Sequence, residues 1–254
     1  MQYCFLLGKD PRLDRLETLL TLDGYTVARE LCPIKEPCAV LFPFRTRREE
    51  VLPLLEELAP DSVVLFGKRD PSLEKACLDR RLSPLFLLER EDYLKKNARE
   101  TAEGVLAEIL CATDTVLDEV ALLICGYGNC GKAIGELLWL CGCEVWILSH
   151  QGSLARAEKD GFNVLSDGAR LSSFDLVVNT APSGIFTDSF LDRLTPGTQI
   201  LQVAGGTDGR EPDDFARRGL VFRALPGLPG RYSPQTDAHY LHHILTEVFP
   251  RKRE

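Results

Sequence analysis

The sequence predicts an α/β protein with two doubly wound parallel-sheet domains, the first smaller than the second. Two observations lead to this fold class. Short apolar runs rich in β-branched residues alternate along the 254-residue chain with segments whose leucines recur at helical spacing. A polar stretch near residue 90 then divides the alternation into two series. Such alternation is typical of parallel strands whose crossover helices cover both faces of the sheet.

The N-terminal series predicts a domain over residues 1–95. Helices are expected between its strands, because Leu13, Leu16 and Leu20 share one helical face and a second stripe runs from Val51 to Leu58. The predicted strands are residues 3–7, 39–42, 62–66 and 85–88.

A linker helix is predicted over residues 96–117. Thr101 stands where a hydroxyl would cap the helix, and acidic residues follow it, as suits the positive end of the helix dipole. We therefore expect the domain junction on or beside this helix.

The second series predicts a six-stranded, doubly wound sheet over residues 118–233. A last helix is expected to begin at Pro234, because proline is favoured in the first helical turn. The C-terminal segment 234–254 is expected to join the first domain. The predicted strands are residues 120–125, 144–148, 163–165, 175–179, 199–204 and 221–225.

A glycine-rich turn follows the first strand of this second series. Gly126 permits the tight turn, Gly128 lets the backbone approach a pyrophosphate, and Gly131 allows the next helix to pack closely on the strand. This strand, turn and helix predict a Rossmann NAD(P)-binding domain, which follows a smaller flavodoxin-like domain. The residues expected at the cofactor phosphates are Gly126, Tyr127, Gly128, Asn129, Cys130 and Gly131.

The same stretch is a near match to a nucleoside-triphosphate loop. Lys132 follows Gly131 as that loop requires, but Ala133 stands where a Mg²⁺-binding hydroxyl is needed, which disfavours that interpretation. The second strand ends without the acidic residue that binds the ribose of NAD, so NADP is favoured and NAD remains the alternative. The candidate 2′-phosphate ligands are Ser149, His150 and Ser153, with Arg156 one turn further on.

Three further loops follow strand ends, where ligands bind in open α/β sheets. One is expected to pass beside the nicotinamide; it contains Asn179, Thr180, Ala181 and Pro182. In the loop at 204–209, glycines leave backbone N–H groups free to hold a carboxylate. The third, at 226–234, alternates proline and glycine, and we interpret residues 226–230 as a turn.

Composition excludes several function classes. A formal net charge of −8 disfavours nucleic-acid binding, and no apolar run approaches the ~20 residues that a bilayer span needs. Nine cysteines, an odd number, and the absence of a leader-like N-terminus favour a reducing compartment. No metal site is predicted, because the three histidines at 239–243 lack a matching acid or cysteine. Cys130 is the one candidate reactive thiol, since a helix N-terminus lowers a thiol pKa.

Several motifs together resemble a known family, the dehydrogenase-like A subunit of dipicolinate synthase from sporulating bacteria. The most specific are Thr101-Ala102-Glu103-Gly104 and the run Pro226-Gly227-Leu228-Pro229-Gly230. The turn from Gly8 to Arg12, the glycine turn and the Asn179 loop occur in the family's order. The resemblance spans most of the chain.

The resemblance implies an NADP-dependent oxidoreductase. Family members work with a flavoprotein, the second (B-type) component of the synthase, and convert 4-hydroxy-tetrahydrodipicolinate to dipicolinate in the cytoplasm of the mother cell. A small dicarboxylate substrate needs cationic and N–H clamps, for which the candidates are Arg12, Thr101, Gly205, Gly206 and Arg231. Glu103 and Tyr232 are the candidates for proton transfer. A homo-oligomer is left open.

The chain departs from the family pattern at three places. Gln202 stands where the family has aspartate, Asp237-Ala238 replaces alanine and glycine, and Arg45-Thr46-Arg47 replaces a threonine-rich loop. These changes keep two alternatives open. One is another two-domain NAD(P)-dependent dehydrogenase of small carboxylic acids; the other is a non-catalytic, nucleotide-binding regulatory subunit.

Overall fold

A computed structural model of the chain describes residues 2–44, 46–165, 168–205 and 207–252. The chain forms two compact units. One contains Met1–Asn97 together with Pro229–Glu254, and the other is Ala98–Leu228. No helix among the described residues is both long and apolar enough to cross a bilayer.

The first unit contains a five-stranded parallel sheet of order β2-β1-β3-β4-β5, the flavodoxin-like order. Its strands are β1 (Tyr3–Leu6), β2 (Thr26–Ala28), β3 (Ala39–Leu41), β4 (Val63–Phe66) and β5 (Ser83–Phe86). Sequence reasoning missed β2, because this three-residue edge strand lacks a buried apolar run. The parallel, flavodoxin-like sheet predicted for this unit is confirmed.

The second unit contains a six-stranded parallel sheet of order β11-β10-β9-β6-β7-β8. Counted within the unit this is the Rossmann order, with the switch point between β6 and β9. Its strands are β6 (Ala121–Cys125), β7 (Glu144–Leu148), β8 (Asn163–Val164), β9 (Leu176–Asn179), β10 (Gln199–Gln202) and β11 (Val221–Ala224).

Ten α-helices lie among the described residues, eight of them before the last strand and two after it. They are α1 (Pro11–Leu22), α2 (Arg48–Leu55), α3 (Pro71–Asp79), α4 (Glu91–Ala112), α5 (Asn129–Leu140), α6 (Gln151–Lys159), α7 (Asp188–Leu191), α8 (Pro212–Ala216), α9 (Leu228–Tyr232) and α10 (Pro234–Val248).

Each sheet buries side chains on both faces, as the continuous apolar strands require. In β1, Cys4 and Leu6 join the core cluster that includes α1 and α10, whereas Phe5 joins the opposite cluster under α2 and α3. In β6, Leu122 and Leu123 likewise belong to two different core clusters, one on each face of the sheet. The carboxyl edges of the sheets therefore carry the loops that remain available for chemistry.

Two sequence predictions about helices were wrong. The linker helix predicted over residues 96–117, with Thr101 as its cap, spans Glu91–Ala112, so Thr101 lies in its interior and does not cap it. The first turns of the helix are mostly polar, but Tyr93 and Ala98 within them are buried. Because the segment is polar on average, these two packing positions were not recognised as part of a helix. The stretch interpreted as a turn includes the start of α9, because buried Leu228 anchors a short helix there.

Candidate functional site

The glycine turn lies at the carboxyl end of β6 and has no room for larger residues at two positions. Gly126 has φ +97°, and a Cβ there would lie 2.7 Å from Thr180 Oγ1. A Cβ on Gly131 would lie 2.2 Å from the Gly126 carbonyl oxygen. Both glycines are therefore required by close approach of the helix, the turn and the neighbouring loop.

Gly128 differs, because its hypothetical Cβ meets no described atom within 4 Å. It precedes α5 as N-cap, and the described residues supply no side-chain hydrogen bond to cap that helix. The start of α5 thus presents N–H groups and positive dipole charge toward open space, an arrangement that suits a pyrophosphate. Asn129 begins the helix at the same place.

The Tyr127 side chain points away from this open space into the core. Its hydroxyl donates a hydrogen bond to Asp160 Oδ2 at 2.8 Å, and its ring meets Phe162 edge-on. Burial, followed by the Asp160 carboxylate, raises the Tyr127 pKa well above its usual range. Lys132 Nζ lies 2.6 Å from the same carboxylate, so its charge is held by Asp160. In a nucleoside-triphosphate loop the corresponding lysine binds phosphates, so its pairing with Asp160 favours a dinucleotide loop instead.

Cys130 does not have the activated thiol expected from its place at a helix N-terminus. Burial raises its pKa, and a hydrogen bond with the Thr101 side chain offsets only part of that effect. The expectation of a lowered pKa was therefore wrong, because burial removes the hydration that a thiolate needs. Thr101 itself is 4% exposed and lies beside Cys130 rather than at a surface.

Three polar side chains converge beyond the end of β7. Ser153 Oγ lies 2.9 Å from His150 Nε2 and accepts a hydrogen bond from Arg156 Nη2 at 2.9 Å. Arg156 and His150 are exposed, whereas Ser153 is buried at the N-terminal turn of α6. Ser149 precedes His150 in the same connection and is half-buried. Ser153, His150 and Arg156 thus form one cluster, and no acidic side chain among the described residues bonds to it.

The loop after β9 crosses directly over the glycine turn. The N–H groups of Thr180 and Ala181 both donate to the Cys125 carbonyl, at 2.8 and 3.1 Å. Buried Asn179 donates from Nδ2 to Gln202 Oε1 at 2.9 Å, and its own oxygen accepts the Ala181 N–H. Gln202, a departure from the family pattern, is therefore a neutral partner of Asn179. Pro182 follows and is exposed.

The loop after β10 supplies a carboxylate to its neighbour. Asp208 accepts hydrogen bonds from the N–H groups of Gly184, Ile185 and Phe186. Gly205 is exposed, with no described atom near its hypothetical Cβ. Gly206 lies outside the described residues.

Arg12 is buried in an ion cluster of the first unit. Its Nε and Nη2 donate to the two oxygens of Asp10, at 2.8 and 2.6 Å, and its Nη1 donates to Asp237 at 2.6 Å. Burial alone would lower the Arg12 pKa, but these two carboxylates raise it. The guanidinium also lies over the Phe44 ring, 4.1 Å from its centre. Only 5% of Arg12 is exposed, so the predicted substrate clamp is enclosed by the protein's own carboxylates.

The remaining predicted residues lie at exposed positions. Arg231 is exposed and lies 5.2 Å from the centre of the Tyr232 ring, which is itself 40% exposed. Glu103 lies on the exposed face of α4, 3.5 Å from Arg99. A pocket that sequence reasoning missed has a volume of about 360 Å³ and lies at the carboxyl ends of β3 and β4. It is lined by Phe44, Thr46, Gly67, Lys68, Arg69 and Asp70, among others.

The pocket had a sequence signal. Gly67 and Lys68 directly follow an apolar run, which is the position of ligand-binding loops in this class of sheet. Within the described ranges, no group of three or more His, Cys, Asp or Glu side chains is arranged to hold a metal ion.

Comparison with known proteins confirms the predicted resemblance. The chain is 26% identical over 201 residues to the A subunit of dipicolinate synthase from Bacillus subtilis (strain 168), which covers 76% of this chain and 67% of that protein. The crystal structure of the corresponding dipicolinate synthase component from Bacillus halodurans superposes with a TM-score of 0.82 at 22% identity, over 97% of each chain. No family model matches the chain.

The fold also extends to other dehydrogenases. The apo-structure of D-lactate dehydrogenase from Escherichia coli superposes with a TM-score of 0.67 at 12% identity, over 97% of this chain and 96% of that one. At that identity the likeness concerns the fold alone. The chain thus has a dehydrogenase-like fold and is similar to the A subunit of dipicolinate synthase.

Proposed function

We propose that the chain is an NADP-binding, dehydrogenase-like subunit that makes dipicolinate together with a flavoprotein partner of the B type. The observation that carries this proposal is the glycine turn, where Gly126 and Gly131 are sterically required and Gly128 faces open space at the start of α5. A dinucleotide pyrophosphate is the ligand that such a strand, turn and helix accommodate.

The choice of NADP over NAD rests on the cluster beyond β7. A 2′-phosphate needs donors and positive charge, which Arg156, Ser153 and His150 supply together. An NAD site would instead place a carboxylate there for the ribose hydroxyls. The residues of the glycine turn, this cluster and the Asn179 loop would hold NADP, which would supply the hydride acceptor for the reaction.

The proposed substrate is 4-hydroxy-tetrahydrodipicolinate. Its conversion to dipicolinate releases one water molecule and transfers two electrons to NADP, so no further oxidant is needed. Arg231 and the pocket containing Lys68 offer exposed positive charge for carboxylates in the first unit. Glu103 and Tyr232 remain the proposed groups for proton transfer, since both are exposed.

The test is reconstitution. The purified chain is mixed with the flavoprotein partner, the hydroxy-tetrahydrodipicolinate and NADP, and both dipicolinate and NADPH are measured by absorbance. We expect NADPH formation in step with dipicolinate, dependent on this chain. Dipicolinate formation at the same rate without the chain would contradict the proposal.

A second candidate, a non-catalytic nucleotide-binding subunit, is favoured by one observation. Arg12 is only 5% exposed and donates from Nε, Nη1 and Nη2 to Asp10 and Asp237, so its charge is already matched by the protein's own carboxylates. Gly128→Val distinguishes the two roles because it fills the open space at the start of α5. A catalytic subunit would lose turnover, whereas a purely regulatory contact with the flavoprotein, measured by co-purification, would persist.

A further inference from the structure

One carboxylate of the second unit accepts three consecutive backbone N–H groups. Asp208 Oδ1 lies 2.7 Å from the Gly184 nitrogen, and its Oδ2 lies 2.9 Å from the nitrogens of both Ile185 and Phe186. Converging N–H groups of this kind form a concave anion-binding site. Here the anion comes from the loop between β10 and α8, more than 20 positions along the chain.

The same loop holds the segment at a second point. Arg210 donates from Nε to the Phe186 carbonyl at 3.0 Å, and its Nη1 pairs with Asp188 at 3.0 Å. Asp208 has φ +54°, a left-handed conformation that is unfavourable for a residue with a side chain. The loop therefore has a strained backbone at Asp208, and in this conformation the Asp208 carboxylate and the Arg210 guanidinium both bond to residues 184–188.

The held segment is the continuation of the loop that crosses the glycine turn. At its beginning, the N–H groups of Thr180 and Ala181 and the Thr180 hydroxyl all donate to the Cys125 carbonyl. At its end, Phe186 is buried in the core. Pro182 and Ser183 lie between these anchors and are exposed. With no buried side chain of their own, their position depends on the anchors at either side.

We propose that Asp208 is a positioning residue for the dinucleotide site. It orders residues 182–186 beside the glycine turn before the cofactor binds, on the side of the nicotinamide rather than the adenosine. This inference rests on the proposed binding of NADP. The effect proposed for Asp208 is to lower the conformational cost of binding by holding this segment.

The charge of Asp208 is essential to this role. Burial alone would raise its pKa, but the three N–H groups and then Arg210 lower the pKa below its ordinary value. Asp208 thus stays a carboxylate at neutral pH. An asparagine offers one acceptor oxygen and an NH₂ group that would face a backbone N–H, so it cannot satisfy all three donors.

The experiment compares two ligands in Asp208→Asn. NADPH contains the nicotinamide, whereas adenosine 2′,5′-bisphosphate ends before it. We expect the Kd for NADPH, measured by fluorescence titration, to rise roughly ten-fold, because that is the effect of losing one charge-assisted hydrogen bond. The Kd for adenosine 2′,5′-bisphosphate, from calorimetry, should change by less than about two-fold. Asp214→Asn is the matched control, because Asp214 caps α8 without touching residues 184–186.

Equal effects on both ligands, or none on either, would overturn the positioning role. If Asp208→Asn does not fold, Arg210→Ala tests the same expectation, since it releases the Phe186 carbonyl instead. Failure of the unaltered chain to bind adenosine 2′,5′-bisphosphate would contradict the proposed NADP site itself. The two proposals therefore fail by different results.

Discussion

Arg12 Nη1 lies 2.6 Å from Asp237 Oδ2, although 225 positions separate the two residues in the chain. Asp237 is fully buried, and its other oxygen accepts a hydrogen bond from the Tyr93 hydroxyl at 2.9 Å. A Cβ on Gly230 would lie 3.0 to 3.1 Å from Asp10 and Arg12, so α9 passes close over the same cluster. Two motifs that carry the family resemblance, the Gly8 to Arg12 turn and the proline–glycine run, thus meet at a structural ion cluster.

Removing Asp237 should destabilise the fold strongly. Asp237→Ala leaves the Arg12 charge buried without one of its two counter-ions, and losing one partner of a buried pair costs about 3–5 kcal/mol. We expect that decrease in the free energy of unfolding, measured with urea. Asp14→Ala is the control, because Asp14 pairs with Arg29 at the surface. Equal stability of the two variants would show that the Arg12–Asp237 pair contributes nothing.

The glycine turn predicts opposite outcomes for two substitutions. Gly128→Ser keeps a favourable N-cap, and its Cβ would meet no described atom within 4 Å, so thermal stability should be unchanged. NADPH affinity should fall, because the new side chain enters the proposed pyrophosphate space. Gly131→Ala should lower stability as well, since its Cβ would lie 2.2 Å from a backbone oxygen. Thermal unfolding and NADPH fluorescence measure the two effects. Unchanged NADPH affinity in Gly128→Ser would exclude a pyrophosphate at this place.

Arg156 should decide between the two nicotinamide cofactors. Arg156→Ala removes the cation beside Ser153, so we expect the Kd for NADPH to rise at least ~10-fold while the Kd for NADH changes little. Fluorescence titration with both cofactors measures this ratio. Lys159→Ala, on the same helix, controls for a general loss of positive charge. A parallel loss of NADH affinity would argue against a 2′-phosphate contact.

The pH dependence of stability should include a contribution from Asp10. Burial would raise its pKa, but hydrogen bonds and the charge of Arg12 lower it below the usual value of about 3.9. A carboxyl whose pKa is lower in the folded state stabilises above its unfolded pKa and loses that contribution as pH falls through the folded pKa. Urea unfolding between about pH 6 and pH 3 should therefore show falling stability.

In Asp10→Asn that fall should be smaller, and stability at neutral pH should be lower. Asp92→Asn is a useful comparison, because the pKa of Asp92 is lowered to about 2 by Arg90 at an exposed site, where solvent weakens the pair. An acid-side slope in Asp10→Asn as steep as that of the unaltered chain would contradict this assignment.

Local pattern and motif spacing were enough for the two parallel sheets, the glycine turn and the cluster of Ser153 with its neighbours. These features depend on residues close in sequence, whose alternation and turn chemistry are dictated by backbone geometry. The edge strand β2 was missed because pairing, not composition, makes it a strand. The start of α4 was misplaced because its few buried positions become recognisable only once the helix has something to pack against.

By itself, the sequence determined the fold class and the presence of a dinucleotide-type turn at Gly126. Only the tertiary structure decided what the charged candidates contact. From the sequence, Arg12 was a candidate substrate ligand, but α10 places Asp237 beside it. The sequence likewise indicated no partner for Asp208, whereas the structure shows it accepting the Gly184 N–H. The reason is physical: backbone preference acts over a few residues, whereas a buried charge is matched by whichever opposite group the folded chain brings within hydrogen-bond distance.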